Sequence, residues 1–203
     1  MAAQFIIPIT QTTLNEHKND LIYYLAYRRC YTSSQYIELT KSGDHQYKTF
    51  FKPPNHAAPK EVLSILNVSR QTWDRWRPNP YPNFEYSNDN FAPLSFDTFD
   101  AVWGAILTSN SGISAKSRNS YMLMFIYLFY NICYHRQRYV CSITKMAADL
   151  DTNPSQIIKR LKWIMERGFI ERNGKFKFSG EETYSYTYCL PHNLIPVIFK
   201  EKS

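Results

Sequence analysis

The chain has 203 residues, 44% of them hydrophobic, 16% aromatic and 20% charged. That length allows one large domain or two small ones, and the apolar share can build a packed core, which excludes a wholly disordered chain. A net charge of +7 and a pI near 9.2 suit a polyanionic partner without requiring one.

Cys30, Cys133, Cys141 and Cys189 form no C-x-x-C and no Cys/His cluster with zinc spacing. Reduced thiols in a cytoplasmic protein are therefore expected, with no metal and no cofactor. The start, MAAQFIIPITQTT, lacks a basic n-region, so no signal peptide is expected. The most apolar run, Tyr121 to Tyr134, is 14 residues long, too short to cross a bilayer.

Residues 1–13 read as an extended or poorly ordered lead-in. From Leu14 to Arg29 one helix is expected, with Leu14, Leu21, Tyr24, Leu25 and Arg28 near one face. Tyr36–Leu39 and Tyr47–Phe51 read as two short strands across a Gly43-Asp44 turn, and Pro53-Pro54-Asn55 as a break.

Residues 59–77 read as a helical pair. Pro59 suits a first helical position. Val62, Leu63, Ile65 and Leu66 make an apolar face. Asn67 tolerates the left-handed turn, Ser69 is a good N-cap, and Trp73 and Trp76 close the second helix onto the first. Glu61, Val62, Leu66, Val68, Ser69, Thr72 and Trp76 match E-V-x-x-x-L-x-V-S-x-x-T-x-x-x-W. This resembles the helix-turn-helix of excisionase-type regulators. Leu63, Asn67 and Trp73 depart from that pattern, which has a small residue, a glycine and a valine there. The resemblance implies that Arg70, Gln71 and Arg75 face outward toward DNA. The other reading is a plain helical hairpin in a domain core.

Residues 79–115 hold four acids, no Lys or Arg, and seven aromatics from Tyr81 to Trp103. A Pro/Asn-rich loop is followed by an expected helix from Ser95 to Leu107, with Ser95 as cap and Phe96, Phe99, Val102, Trp103 and Ile106 on one face. This acidic segment either hugs the surface as a connection or docks a partner. SNSGIS at 109–114 is the best linker, giving an N-terminal domain at 1–108, a linker at 109–115 and a C-terminal domain at 116–203.

A long helix is expected from Lys116 to Arg138, with Arg136 and Arg138 favouring its dipole. Its middle is apolar nearly all round and must be covered on every side. Tyr121 and Phe125 are thus expected against the N-terminal domain or a second copy of the chain. Tyr139–Ser142 reads as a strand and Thr144–Leu150 as a helix with Met146, Ala147 and Leu150 inward. Asp151-Thr152-Asn153-Pro154 is a turn. The next helix runs from Pro154 to a glycine stop at Gly168. Ile157, Ile158, Leu161, Ile164 and Met165 form its inward stripe. Ser155, Gln156, Lys159, Lys162, Trp163 and Glu166 form the opposite face, with Arg160 on the flank. An outward Trp163 implies a covering partner, protein rather than DNA. Phe169 and Ile170 point to the core. Lys175–Phe178 and Thr183–Tyr188 alternate as two paired strands. Either Asn173-Gly174 or Ser179–Glu182 is their tip, and Pro191 ends the sheet. Asn193 to Phe199 reads as a short apolar tail.

Thr144, Ala148, Leu150, Ile157, Leu161 and the run Gly168-Phe169-Ile170-Glu171-Arg172 carry a resemblance to winged-helix domains of bacterial and phage regulators and replication initiators. It covers 116–190. The implied fold is mainly α with a small β-hairpin, an α+β chain with a winged helix and an N-terminal helical domain. The implied partner is double-stranded DNA, read in the major groove by the helix at 154–167, with Asn153, Ser155, Gln156, Lys159, Arg160 and Lys162 near DNA and Lys175 and Lys177 on phosphate. A homodimer, or a second protein bound through Trp163 and the apolar helix, is also expected. Charge follows the same division: residues 144–177 hold eight Lys/Arg against four Asp/Glu, and residues 59–77 four against two. The five histidines are scattered and no phosphate-binding Gly-rich loop exists, so an enzyme is not expected.

Overall fold

The computed structural model of the chain describes residues 5–38, 45–51, 59–76, 91–109, 113–135, 137–178, 180 and 183–196. Among them the chain is mainly helical, with two antiparallel sheets. The first sheet is larger than the expected hairpin pair. It joins β1 (Phe5–Ile9), β2 (Thr32–Glu38), β3 (His45–Phe51) and β4 (Ala92–Ser95) in the order β3-β2-β1-β4. The lead-in is thus a core strand, because Ile6, Ile7 and Ile9 are all buried. Among the described residues β1 meets β2 only at Phe5 and Ile6 and no strand pairs with that side of Pro8, which is where a residue without an N–H is tolerated. Pro93 sits on the edge strand β4 for the same reason. The Gly43-Asp44 turn and the Pro53-Pro54-Asn55 break lie outside the described residues.

The single helix expected from Leu14 is two, α1 (Gln11–Glu16) and α2 (Leu21–Tyr31). Thr10 and Thr13 make a reciprocal cap that starts α1, and the chain turns after His17, which stacks on Tyr24 at 4.0 Å. Leu14 and Leu21 are both buried despite the break, which is why one stripe fitted the sequence. Next come α3 (Pro59–Leu66) and α4 (Arg70–Trp76). Asn67 takes φ 51° between them, and Ser69 Oγ accepts from the Thr72 N–H at 3.3 Å. α5 (Phe96–Ser109) follows β4 directly, capped by Ser95. Its Trp103 donates an indole N–H to the Ile65 carbonyl, tying α5 to the end of α3.

α6 (Ala115–Tyr134) is capped by Ser114 and is buried from Tyr121 to Tyr130. It touches α1, α2, α5 and β4 of the first half, and strands and helices of the second. The apolar excess on α6 is covered within the chain. Buried residues on both sides of 109–115 belong to one hydrophobic cluster running from Ile7 to Leu190. Asn119, buried on α6, accepts from the Ile22 N–H at 2.9 Å and donates to the Lys18 carbonyl at 2.8 Å, which holds the α1–α2 turn in place.

After α6 come β5 (Tyr139–Ser142), α7 (Ile143–Asp149), α8 (Pro154–Glu166), β6 (Glu171–Phe176) and β7 (Ser185–Cys189). The three strands form the second sheet in the order β5-β7-β6. Arg136 lies outside the described residues, while Arg138 is exposed just before β5. A short 3-10 turn, His192–Leu194, follows Pro191; the end of the expected apolar tail, from 197, lies outside the described residues. No helix among the described residues is long and apolar enough to cross a membrane.

Candidate nucleic-acid interface

α7 is fixed by a polar knot at its base. Tyr127 donates to Asp149 Oδ2 at 2.7 Å, so the proton in its 2.7 Å contact with Tyr139 comes from Tyr139. Cys141 Sγ lies 4.0 Å from the Tyr127 hydroxyl, and Lys145 Nζ 3.2 Å from Asp149 Oδ2. Burial, with hydrogen bonding and nearby acidic groups, pushes the Tyr127 and Tyr139 hydroxyls well above the ordinary phenol range, and burial raises the Cys141 thiol against the opposing hydrogen bonds from the two tyrosines. The knot joins α6, β5 and α7.

α7 then turns into α8. Asp151 takes φ 49° and its carboxylate receives Lys18 Nζ at 2.6 Å, linking the turn to the first half. Asn153 caps α8: its Oδ1 accepts from the Gln156 N–H at 2.9 Å and from Ser155 Oγ at 2.7 Å. Pro154 occupies the first turn. At the far end Gly168 has φ 68°, with Gly168 N–H on the Met165 carbonyl and Phe169 N–H on the Ile164 carbonyl. That paired closure is the glycine-type C-terminal stop.

The buried side of α8 is rotated from the expected stripe. Ile157, Leu161 and Ile164 are buried, but Ile158 is 55% exposed. Trp163, expected outward against a partner, is only 9% exposed. It packs on Tyr121 at 5.1 Å and Phe169 at 6.3 Å, and Arg167 lies over its ring at 4.2 Å. Phe125 is fully buried and Tyr121 nearly so. These three residues therefore form an internal contact, not an outward surface. An aromatic ring flanked by two others gains more by burial than Ile158 does, and the helix turns accordingly.

What remains exposed on α8 is Pro154, Ser155, Gln156, Ile158, Lys159, Lys162 and Glu166. Lys162 pairs loosely with Glu166 at 3.7 Å; both are mostly exposed, so the pair is weak. Arg160 is half-buried on the flank. Burial lowers its pKa, with the Tyr121 hydroxyl opposing, and a guanidinium keeps its charge at neutral pH regardless. Asn153 stands at the same end, but its oxygen is committed to the cap. Arg167, not singled out from sequence, bridges to Ser109 Oγ at 3.2 Å and so ties α8 to α5.

Beside α8 stands the β6–β7 hairpin. Asn173-Gly174 is not its tip. A register shift falls between Asn173 and Lys175, with Gly174 at φ 69°, so this is a bulge within β6. The connection after Phe176 is the tip, and Ser179, Glu181 and Glu182 within it lie outside the described residues. The exposed side chains Lys175 and Lys177 lie 3.8 Å and 5.9 Å from the Tyr184 ring centroid. Phe176, Phe178 and Tyr184 are each about half-exposed.

In the first helical pair, Val62, Leu66 and Trp73 are buried, and Trp73 stacks on Tyr27 at 6.1 Å. Arg70, Gln71 and Arg75 are exposed, and Arg70 reaches Asp74 at 3.7 Å. The Trp76 side chain lies outside the described residues. Among the described residues no group of three or more His, Cys, Asp or Glu side chains is arranged to hold a metal ion. Compared with protein-family models, curated proteins and solved structures, the chain matches none of them.

Proposed function

We propose that this chain binds double-stranded DNA sequence-specifically, with α6 to β7 acting as a winged helix whose α8 enters the major groove. The observation that carries the reading is α8 itself. It is capped at both ends, anchored by the buried Ile157, Leu161, Trp163 and Ile164, and offers Ser155, Gln156, Lys159 and Lys162 outward on an exposed face that Ile158 and Glu166 share. Gln pairs bidentately with adenine, and Lys with guanine or phosphate. The order helix, strand, helix, helix, strand, strand with the sheet β5-β7-β6 supports the winged-helix part. Lys175 and Lys177 on the hairpin add phosphate contacts, and the exposed Arg70, Gln71 and Arg75 of α4 offer a second helix to DNA. The role that fits is a cytoplasmic transcription regulator or replication-initiation factor of a plasmid or phage, with no catalytic step.

The other reading is a winged-helix module that binds protein. The half-exposed rings of Phe176, Phe178 and Tyr184 favour it; Trp163, buried within the chain, does not. Titration of the full chain with random-sequence duplex at low salt separates the two. Lys159→Ala should weaken binding by about 1–3 kcal/mol if it contacts a base. Equal affinity of Lys159→Ala and the natural chain would mean α8 is not the reading helix.

A further inference from the structure

Among the described residues Ile158 is the one large apolar side chain exposed on α8. It does not lie at a frayed end. It follows the first turn, in the row Ser155, Ile158, Lys162, where residues three and four apart are neighbours. Both of those neighbours are exposed and polar. The inward side of α8 is taken by Ile157, Leu161, Trp163 and Ile164, so Ile158 adds little to the core. A β-branched side chain is stiff and holds its methyl groups in a fixed place on this face.

We infer that Ile158 is a specificity-determining residue that reads the C5-methyl group of a thymine, so that the chain selects duplexes with a thymine opposite this position of α8. The inference rests on the duplex-DNA reading above. Thymine is the one base that presents an apolar group in the major groove. Ser155 and Lys162 on either side supply the polar contacts that fix the register, and Ile158 can make only an apolar one.

The test uses the full chain and the duplex it enriches from a random pool. That duplex is then synthesised with deoxyuridine in place of each thymidine in turn, which removes a methyl group and nothing else. Binding should fall about fourfold at one or two positions, the ratio that corresponds to withdrawing one buried methyl group. In Ile158→Ala the thymidine duplex should bind more weakly, and the thymidine and deoxyuridine duplexes should bind alike. Ile158→Val should keep most of the discrimination, and circular dichroism should match the natural chain because the side chain is exposed. If a duplex is enriched but deoxyuridine changes nothing, or the difference persists in Ile158→Ala, the inference falls and the DNA reading stands. If no duplex is enriched, both fall.

Discussion

Gly168 sets where α8 ends. With φ at 68° and nothing within 4 Å of where a Cβ would stand, its requirement is one of backbone alone. Gly168→Ala should therefore cost about 1–2 kcal/mol, the cost of the left-handed conformation for a residue with a Cβ. A lowered urea midpoint with an unchanged slope would register it, and an unchanged midpoint would contradict the closure described for α8. Chemistry of this local kind was legible in the sequence. Asn67, Ser69, Asn153 and Gly168 each do what their own backbone and side-chain preferences dictate. Trp163 and Ile158 were not legible. Adjacent Ile157 and Ile158 fit one helical stripe on spacing alone, and which of them turns inward is decided by Tyr121 and Phe169, which lie far from them or beyond the helix.

At the scale of elements, Tyr127, Tyr139 and Cys141 in the knot around Asp149 are groups that burial drives to keep their protons. Tyr188, on the strand paired with Tyr139, and Cys133, on α6, are also buried, with pKa values pushed up first by desolvation. Folded-state pKa values above the unfolded ones mean that the native chain holds these protons where the unfolded chain has lost them. Their contribution to stability is complete below about pH 8.5 for the thiols and about pH 10 for the phenols, and declines as pH rises further. Urea unfolding in reducing buffer should show stability falling above those values. In Tyr127→Phe the fall through the phenol range should be shallower. A profile flat to pH 11 would contradict the buried protonated knot. The elements of the second half, from Tyr139 to Gly168, were legible within about a residue because turn chemistry and a 3.6-residue period agree there. The first half was legible in part. Phe5–Ile9 gave no alternation, since the adjacent Ile6 and Ile7 are both buried along with Ile9, and Leu14 with Leu21 mimicked one continuous helix across the His17 turn.

For the whole molecule, one hydrophobic cluster joins the two halves, and α6 is its shared member. Lys18 to Asp151, Arg167 to Ser109 and Asn119 to the α1–α2 turn are polar ties across the same boundary. The sequence gives no hint of these ties, because each pairs residues at least 58 positions apart. It did indicate that the apolar face of α6 needed a cover, and left the N-terminal domain and a second copy as alternatives. α8 is thereby held by both halves, and the proposed reading of DNA rests on that support of its outward face. The most direct measurement is the affinity of the full chain for duplex DNA as a function of salt. The log–log slope should be negative and several units steep, because each phosphate contact adds about −0.9. Replacing both Lys159 and Lys162 by alanine should flatten it by up to about two units. No binding at low salt, or binding whose slope ignores both lysines, would contradict the assignment of α8 as the DNA-contacting helix.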